Sequence, residues 1–421
     1  MLYQKRHPSF KISERFKKKP YSYRMKQIQV LNLATSLNGG AGIAARRTHE
    51  SLVEAGVDSH LLILRSEDFL DDPRIKKVKS SQILSFLSRA NTVLQRKFVQ
   101  DSNRLVTPIS VATLADRDFE FYNPDVIHIH AYYNLLSTRR LWRISEHFPT
   151  SRICVTLHDE RLFTGGCHYT GGCSQFEKHC NNCPQTSRLG KLLVQKSHDL
   201  SLEEKREDYR IITPSVWLAD QVRRSSVLKK NPVHTLINPV PQIFFDQQQK
   251  ERNQSDFNVA FISQDLGNPY KGVKTVVEAL AKLDLLIPPG KIVMTFVGRG
   301  EVQLETKNIV VNPISISSEI GMAEFLGKMN LVVLASTEDN LPNVILESLA
   351  AGARVIGTNI GGIKEVLDSF NLDVYQPGDS QALSQLILKE FNSKFQKPNY
   401  SSTHKFHYSE VSKQLLDIYS I

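Results

Sequence analysis

The sequence predicts an α/β protein of two doubly wound, Rossmann-like domains facing each other across a cleft. Three observations carry this. Residues 331–335 form an apolar run, followed by the polar loop Thr337-Glu338-Asp339-Asn340-Leu341-Pro342, a helix-like run to Ala351, the stop Gly352 and a second apolar run at residues 354–358. That is the strand–loop–helix–strand order of a parallel sheet, whose ligands bind at the carboxyl ends of strands. A second such unit opens the chain: residues 28–34 alternate as a strand, Ser36-Leu37-Asn38-Gly39-Gly40-Ala41-Gly42 is a glycine-rich turn, residues 43–55 read as a helix stopped by Gly56, and residues 59–64 as the next strand. The third observation is length, since 421 residues suffice for two ordinary domains.

Taken in order, residues 1–26 carry Lys5, Arg6, Lys11, Arg15, Lys17, Lys18, Lys19, Arg24 and Lys26 against one acid, Glu14, and read as a flexible basic arm. Residues 27–238 form the first domain, with buried strands predicted at 125–130, 153–159 and 210–215 and Ser215 capping a helix through Ser225. Residues 81–99 place Ile83, Leu84, Phe86, Leu87, Ala90, Val93, Leu94 and Phe98 on one helical stripe with Arg89, Arg96 and Lys97 around it. Such a stripe either faces the core or lies on an anionic membrane, and a core-facing helix is the commoner outcome. Asn238-Pro239-Val240-Pro241 and the polar stretch that follows read as a linker over 239–256. Residues 257–403 form the second domain, with strands at 258–263 and 292–298 and a helix at 272–283, and residues 404–421 a C-terminal helix.

Composition narrows the function classes. Hydrophobic content is 41%, ordinary for a globular protein, and no apolar run approaches the roughly 18 residues a membrane span needs. The start lacks a secretory core, and five cysteines argue for a reducing, cytoplasmic compartment. The net charge of +10 admits nucleic acid, anionic membrane or phosphorylated ligands. Aromatic residues are not interleaved with the basic arm, which disfavours nucleic acid. Asp116-Arg117-Asp118 reads as surface charge.

Cys167, Cys173, Cys180 and Cys183 give C-x5-C-x6-C-x2-C in a loop over 163–186. Close cysteine quartets in a reducing compartment suggest tetrahedral zinc, with His168 and His179 as substitute ligands; reduced thiols or a redox-formed bridge are the alternatives.

The run Glu338-Asp339-Asn340-Leu341-Pro342-Asn343, followed by Glu347-Ser348-Leu349-Ala350, resembles the Glu-x7-Glu motif of family-4 retaining glycosyltransferases of GT-B fold. It is closest to the form found in bacterial exopolysaccharide and lipopolysaccharide (colanic-acid-type) enzymes. Phe163-Thr164-Gly165-Gly166-Cys167-His168-Tyr169 is similar to a cysteine-rich insert in a subgroup of them. The resemblance departs at Asp339, where the first acid falls with Glu338 beside it, at Pro342 in place of glycine, and at Ser263-Gln264 in place of glycine-arginine. Lys274 or Arg299 would then supply the missing charge.

The resemblance implies a retaining transfer from a nucleotide-diphosphate sugar to a saccharide or lipid-linked saccharide, at the inner face of the cytoplasmic membrane. His158, Asp339 and Glu338 are the implied catalytic residues. Gly40, Gly42, Lys271, Asn340, Leu341, Asn343, Val344 and Glu347 are implied on the donor side, and His130 on the acceptor side. No catalytic cofactor is implied, and the C-terminal helix is expected to pack back on the first domain. The alternatives are another GT-B enzyme such as a nucleotide-sugar epimerase or a phosphorylase, a non-catalytic scaffold, or a basic nucleic-acid-binding protein with a zinc-like cysteine cluster.

Overall fold

The computed structural model describes residues 28–66, 72–79, 82–100, 105–249, 256–393 and 401–420. The basic arm at 1–26 and residues 250–255 of the expected linker lie outside the described residues, as do residue 81 and the side chain of Ile83 from the apolar stripe.

Two parallel sheets organise the chain. The first holds β1 (Gln29–Ser36), β2 (Asp58–Arg65), β3 (Ile75–Lys77), β4 (Val126–Ile129), β5 (Arg152–Thr156), β6 (Arg210–Thr213) and β7 (Val233–Thr235) in the order β3-β2-β1-β4-β5-β6-β7. The second holds β8 (Phe257–Asp265), β9 (Ile292–Arg299), β10 (Ile309–Ile314), β11 (Leu331–Val333), β12 (Arg354–Thr358) and β13 (Val374–Tyr375) in the order β10-β9-β8-β11-β12-β13. Among the described residues, every strand pairing within these two sheets is parallel. Helices cover both faces, so the central strands are buried on both sides and read as continuous Val/Ile/Leu runs. Strand order reverses between β1 and β4 and again between β8 and β11. At such reversals the connections leave in opposite directions and open a crevice at the carboxyl ends.

The glycine turn differs from expectation. It is the first turn of the helix Gly39–Glu54, which starts from Gly39 at φ 75°. Gly42 lies where a Cβ would stand 2.5 Å from the Ser36 carbonyl oxygen, so this residue lets the helix lie against the end of β1.

The segment expected as a linker is structured where described. The Val240 amide donates to the Phe406 carbonyl at 2.8 Å, and the helix Gln242–Phe245 buries Phe244 among Leu326, Ile345 and Phe406 of the second lobe. The helix Tyr408–Ser420 packs on Gly39–Glu54, placing Val411 and Leu415 in one cluster with Val30, Leu52 and Ile212. The Tyr419 hydroxyl meets His128 Nδ1 at 2.7 Å.

The apolar stripe corrects the commoner expectation. In the helix Gln82–Arg96, Phe86 is 70%, Leu87 47%, Val93 61% and Leu94 53% exposed. The polar face is turned inward: Gln95 Nε2 donates to the Ile109 carbonyl at 3.0 Å, and the Ile109 amide donates back to Gln95 Oε1 at 2.8 Å. Thr92 meets the Tyr133 hydroxyl at 3.2 Å. A buried amide that finds both partners holds the polar face in place.

Candidate active site

The loops at the two strand reversals meet in a cavity of about 870 Å³ between the lobes. From the first lobe it is lined by Gly40, Thr107, Tyr133, His158, Asp159, His168 and Tyr169; from the second by Asp265, Tyr270, Lys271, Asp339, Asn340, Leu341, Pro342 and Asn343.

Lys271 is placed by the turn before it. Asn268 Oδ1 accepts the Tyr270 amide at 3.0 Å, starting a single 3-10 turn over Pro269–Lys271. Gly272 then takes φ 72°, where a Cβ would lie 1.9 Å from the Ala335 carbonyl oxygen, so only glycine allows this close approach to the end of β11. The result sets Lys271 Nζ 2.5 Å from Asp339 Oδ2. The Ser336 hydroxyl donates to the same oxygen at 3.2 Å. Asp339 is buried and Lys271 half-buried. Pro342 precedes the helix Asn343–Ala350, whose first turn faces the cavity. Unpartnered amides at a helix start carry partial positive charge, so cation and helix end favour an anion at one spot.

Asn340 and Asn343 bridge the lobes. Asn340 Oδ1 accepts the Ser215 hydroxyl at 2.6 Å, and its Nδ2 reaches the His158 carbonyl at 3.5 Å. Asn343 Nδ2 donates to the Gly40 carbonyl at 2.9 Å, and Asn238 Nδ2 donates to Asn343 Oδ1 at 2.9 Å. Leu341 is buried at the cavity wall.

His158 is the first-lobe residue opposite this anion site. Burial pushes its imidazole down to about 4, so the ring is neutral near pH 7. His130 lies behind it: the rings stack at 5.6 Å between centroids, and His130 Nδ1 stands 3.4 Å from His158 Nε2. Period-two alternation along β4 puts His128 on the same face, 4.1 Å from His130. His130 is buried and outside the cavity lining, behind His158.

Three further residues expected on the donor side lie outside the cavity lining. Gly42 sits beneath the helix start, as described above, outside the lining. Val344 turns into the second-lobe core beside Ile345. Glu347 is also outside the lining, because its carboxylate pairs with Arg47 of the first lobe at 2.8 Å. Arg47 also meets Glu319 at 2.7 Å and stacks on Phe244. Buried carboxylates require such partners. Burial disfavours the Arg47 charge, yet Glu347 and Glu319 together raise its pKa. Glu338 is half-buried and outside the cavity lining, close enough to add to the raised pKa of Glu160.

The structure adds residues that sequence reasoning did not select. Asp159 accepts from His168 Nδ1 at 2.6 Å, and His168 Nε2 meets Thr107 Oγ1 at 2.8 Å. Burial opposes the Asp159 charge, but His168 and the Arg161 amide and guanidinium hold its carboxyl below the usual range. Glu160 is buried and accepts the Thr170 amide at 2.6 Å; burial pushes it up to about 7. Tyr270 crosses the cleft, its hydroxyl accepting the Leu105 amide at 3.2 Å. The available signal was position: Asp159 and Glu160 directly follow His158 at the end of β5.

The four cysteines line one small cavity of about 20 Å³ beside Phe176 and Val194, and all are free thiols. His168 is engaged with Asp159 and Thr107, so it is not a substitute ligand. His179 groups instead with His198 and Asp199, their ligand atoms within 4.8 Å of one another.

Comparison with known proteins agrees with this architecture. Residues 256–392 match the family described as Glycosyl transferases group 1. The chain is 24% identical over 393 residues, 85% of its own length and 92% of the relative's, to WcaC of Escherichia coli (strain K12), named as a colanic acid biosynthesis glycosyl transferase. Sucrose-phosphate synthase from Thermosynechococcus elongatus superposes with a TM-score of 0.63 at 13% identity, covering 94% of this chain and 98% of that one. Anabaena Alr3699/HepE, solved in complex with UDP-glucose, superposes with a TM-score of 0.57 at 14% identity, covering 94% of this chain and 100% of that one. Two parallel-sheet lobes, a cleft built at both strand reversals and these likenesses together identify a GT-B fold carrying a glycosyl transferases group 1 domain, and the chain is a glycosyltransferase.

Proposed function

We propose that this glycosyltransferase moves a sugar, with retention of anomeric configuration, from a nucleotide-diphosphate sugar to a saccharide or lipid-linked saccharide acceptor in surface polysaccharide synthesis. The observation that carries this is the Lys271–Asp339 pair at the helix start facing His158 across the cavity. The name of WcaC and the UDP-glucose complex of Alr3699/HepE support the polysaccharide and nucleotide-sugar parts.

The chemistry follows from the charges. Without donor, Asp339 neutralises Lys271. A bound diphosphate draws the Lys271 ammonium to itself, which releases Asp339 to accept hydrogen bonds from sugar hydroxyls, with Glu338 beside it. Lys271 and the helix amides then stabilise the departing diphosphate, where negative charge develops. A leaving phosphate oxygen takes the acceptor proton on the same face, so no strong protein base is needed. Neutral His158 offers a hydrogen bond, and not a charge, to the reacting sugar. Tyr270 and the asparagine bridges hold the lobes closed and exclude water.

The acceptor side has a surface suited to an anionic membrane. The outward face of Gln82–Arg96 carries Phe86, Leu87, Val93 and Leu94, with Arg89, Arg96 and Lys97 exposed beside them. Exposed Leu189 and Leu192 continue it, since Val99 pairs with Thr186 next to their helix. Apolar side chains ringed by cations bind anionic bilayers. The inward face, through Thr92 and Gln95, lines the cleft. No helix among the described residues is long and apolar enough to cross a membrane.

The test is a panel of UDP-, GDP- and ADP-sugars incubated with the protein and a saccharide acceptor. Acceptor-dependent release of nucleoside diphosphate with a retained anomeric signal by NMR supports the proposal. An inverted product, or conversion of the donor sugar without acceptor, refutes it and favours an inverting transferase or an epimerase respectively.

A further inference from the structure

We propose that Cys167, Cys173, Cys180 and Cys183 bind one structural zinc ion, which fixes the first-lobe wall of the cleft. Four of the five cysteines in the chain come from one short loop and converge on a single cavity; the fifth, Cys154, lies apart on β5. The cavity measures about 20 Å³, space for one small species, since a water needs roughly 10–15 Å³.

A water there would find few partners. It needs two to four hydrogen bonds, and the polar side chains at the rim are already committed. The Thr164 hydroxyl donates to the Cys167 carbonyl at 2.9 Å, the Thr170 hydroxyl to Glu160 at 3.3 Å, and the Gln175 amide pairs with the Asn182 backbone at 2.6 and 2.9 Å. Sulfur is what remains to face the void, and four sulfurs suit tetrahedral zinc. The Gly165 amide faces the Cys180 sulfur and the Gln185 amide that of Cys183. Backbone donors aimed at sulfur are the outer contacts that stabilise coordinating thiolates. Binding sends the remaining thiol protons to solvent and involves no redox step.

The thiols must draw together on binding. No three of the four sulfurs lie within 4.8 Å of one another, whereas a zinc–sulfur bond of about 2.3 Å holds sulfurs about 3.8 Å apart. Metal binding therefore requires the cysteine side chains to rotate about the cavity. The benefit falls on the site. Between Thr164 and Thr186 the loop has one short 3-10 turn, Gln175–Glu177, yet it carries His168 and Tyr169 of the cavity and the Thr170 amide that holds Glu160. Long irregular segments are ordered by cross-links of this kind.

The experiment measures zinc in the full chain, purified under reducing conditions without added metal or affinity metals, by elemental analysis. About one zinc per chain is expected, with Cys173→Ser and Cys180→Ser losing most of it and Cys154→Ser retaining it. Chelation should lower the melting temperature and added zinc restore it. Should the variants fail to fold, the wild-type metal content decides, together with a thiolate-to-metal charge-transfer band on cadmium replacement. Absence of metal with four titratable thiols, a disulfide among these cysteines by mass spectrometry, or zinc retained in both serine variants would overturn the proposal. None of these readouts depends on sugar transfer.

Discussion

Arg47 of the first lobe and Glu347 of the second are 2.8 Å apart in a buried ion pair, across the same interface that Asn343 crosses to reach the Gly40 carbonyl. Glu319 closes a triad on Arg47, and Arg46 reinforces Glu319 at 3.0 Å. The pair therefore couples the helix behind the anion site to the first helix of the other lobe. Removing Arg47 takes the cation from the buried Glu347 carboxylate, while Glu319 keeps Arg46. Arg47→Ala should destabilise the fold by about 3–5 kcal/mol, read by urea unfolding, and adding Glu347→Gln should recover part of the loss.

Lys271 supplies the side-chain cation beside Asp339 that the proposed mechanism uses. Lys271→Ala should lower kcat on the order of 10²–10³-fold, and should also lower the melting temperature of the ligand-free protein, because it removes the cation paired with the buried Asp339 carboxylate. Asp339→Asn should chiefly raise the donor KM, as sugar hydroxyls lose an anionic acceptor. Steady-state kinetics on each variant separates the two effects.

Buried histidines set an acid limit. His128 is pushed down to about 3 and His158 to about 4, in both cases by burial. The unfolded chain protonates these groups near pH 6.5 while the folded chain does not, so the unfolded state binds more protons below that pH. Stability should fall from about pH 6.5 towards pH 4, by about 1.4 kcal/mol per pH unit for each histidine. Glu160 works the other way: burial raises it to about 7, so its protonation favours the fold as pH falls from about 7 towards its ordinary range near 4.5. Glu160→Gln should therefore steepen the loss between pH 7 and 4.5 in denaturant titrations.

The outward stripe predicts a separable membrane role. Phe86→Glu with Leu94→Glu should cut co-sedimentation with vesicles containing anionic lipid, while transfer to a soluble saccharide acceptor stays near wild type. Raising salt should weaken binding of the wild-type protein too, because exposed charges are screened.

What the sequence made legible, and what it did not, divides along physical lines. The central strands were readable because burial on both faces demands continuous apolar runs, as in residues 331–335 and 354–358. The short edge strands β3, β7 and β13 were not: Ile75-Lys76-Lys77 and Val233-His234-Thr235 carry no such pattern. Helical spacing revealed the apolar stripe of residues 83–98 but not its direction, which the Gln95–Ile109 pairing decides. His158 was legible as a residue at a strand end, Asp339 as one in the loop after a strand and Lys271 through the resemblance, and all three line the cavity. Glu347 was selected from its spacing to Asp339, yet its partner Arg47 is distant in sequence and could not be read from any local pattern. His130 shows the same limit, since strand alternation places it beside His128 without saying that His158 would cover it.

The most direct measurement is the ligand-induced shift in melting temperature across UDP-, GDP- and ADP-sugars, for the wild-type protein and for Lys271→Ala. Binding to the folded state alone must raise the melting temperature. The account predicts that at least one nucleotide sugar gives a concentration-dependent rise that is largely lost in Lys271→Ala. A flat response to the whole panel, or an equal rise in the variant, would contradict the claim that the inter-lobe cavity grips a sugar nucleotide through Lys271.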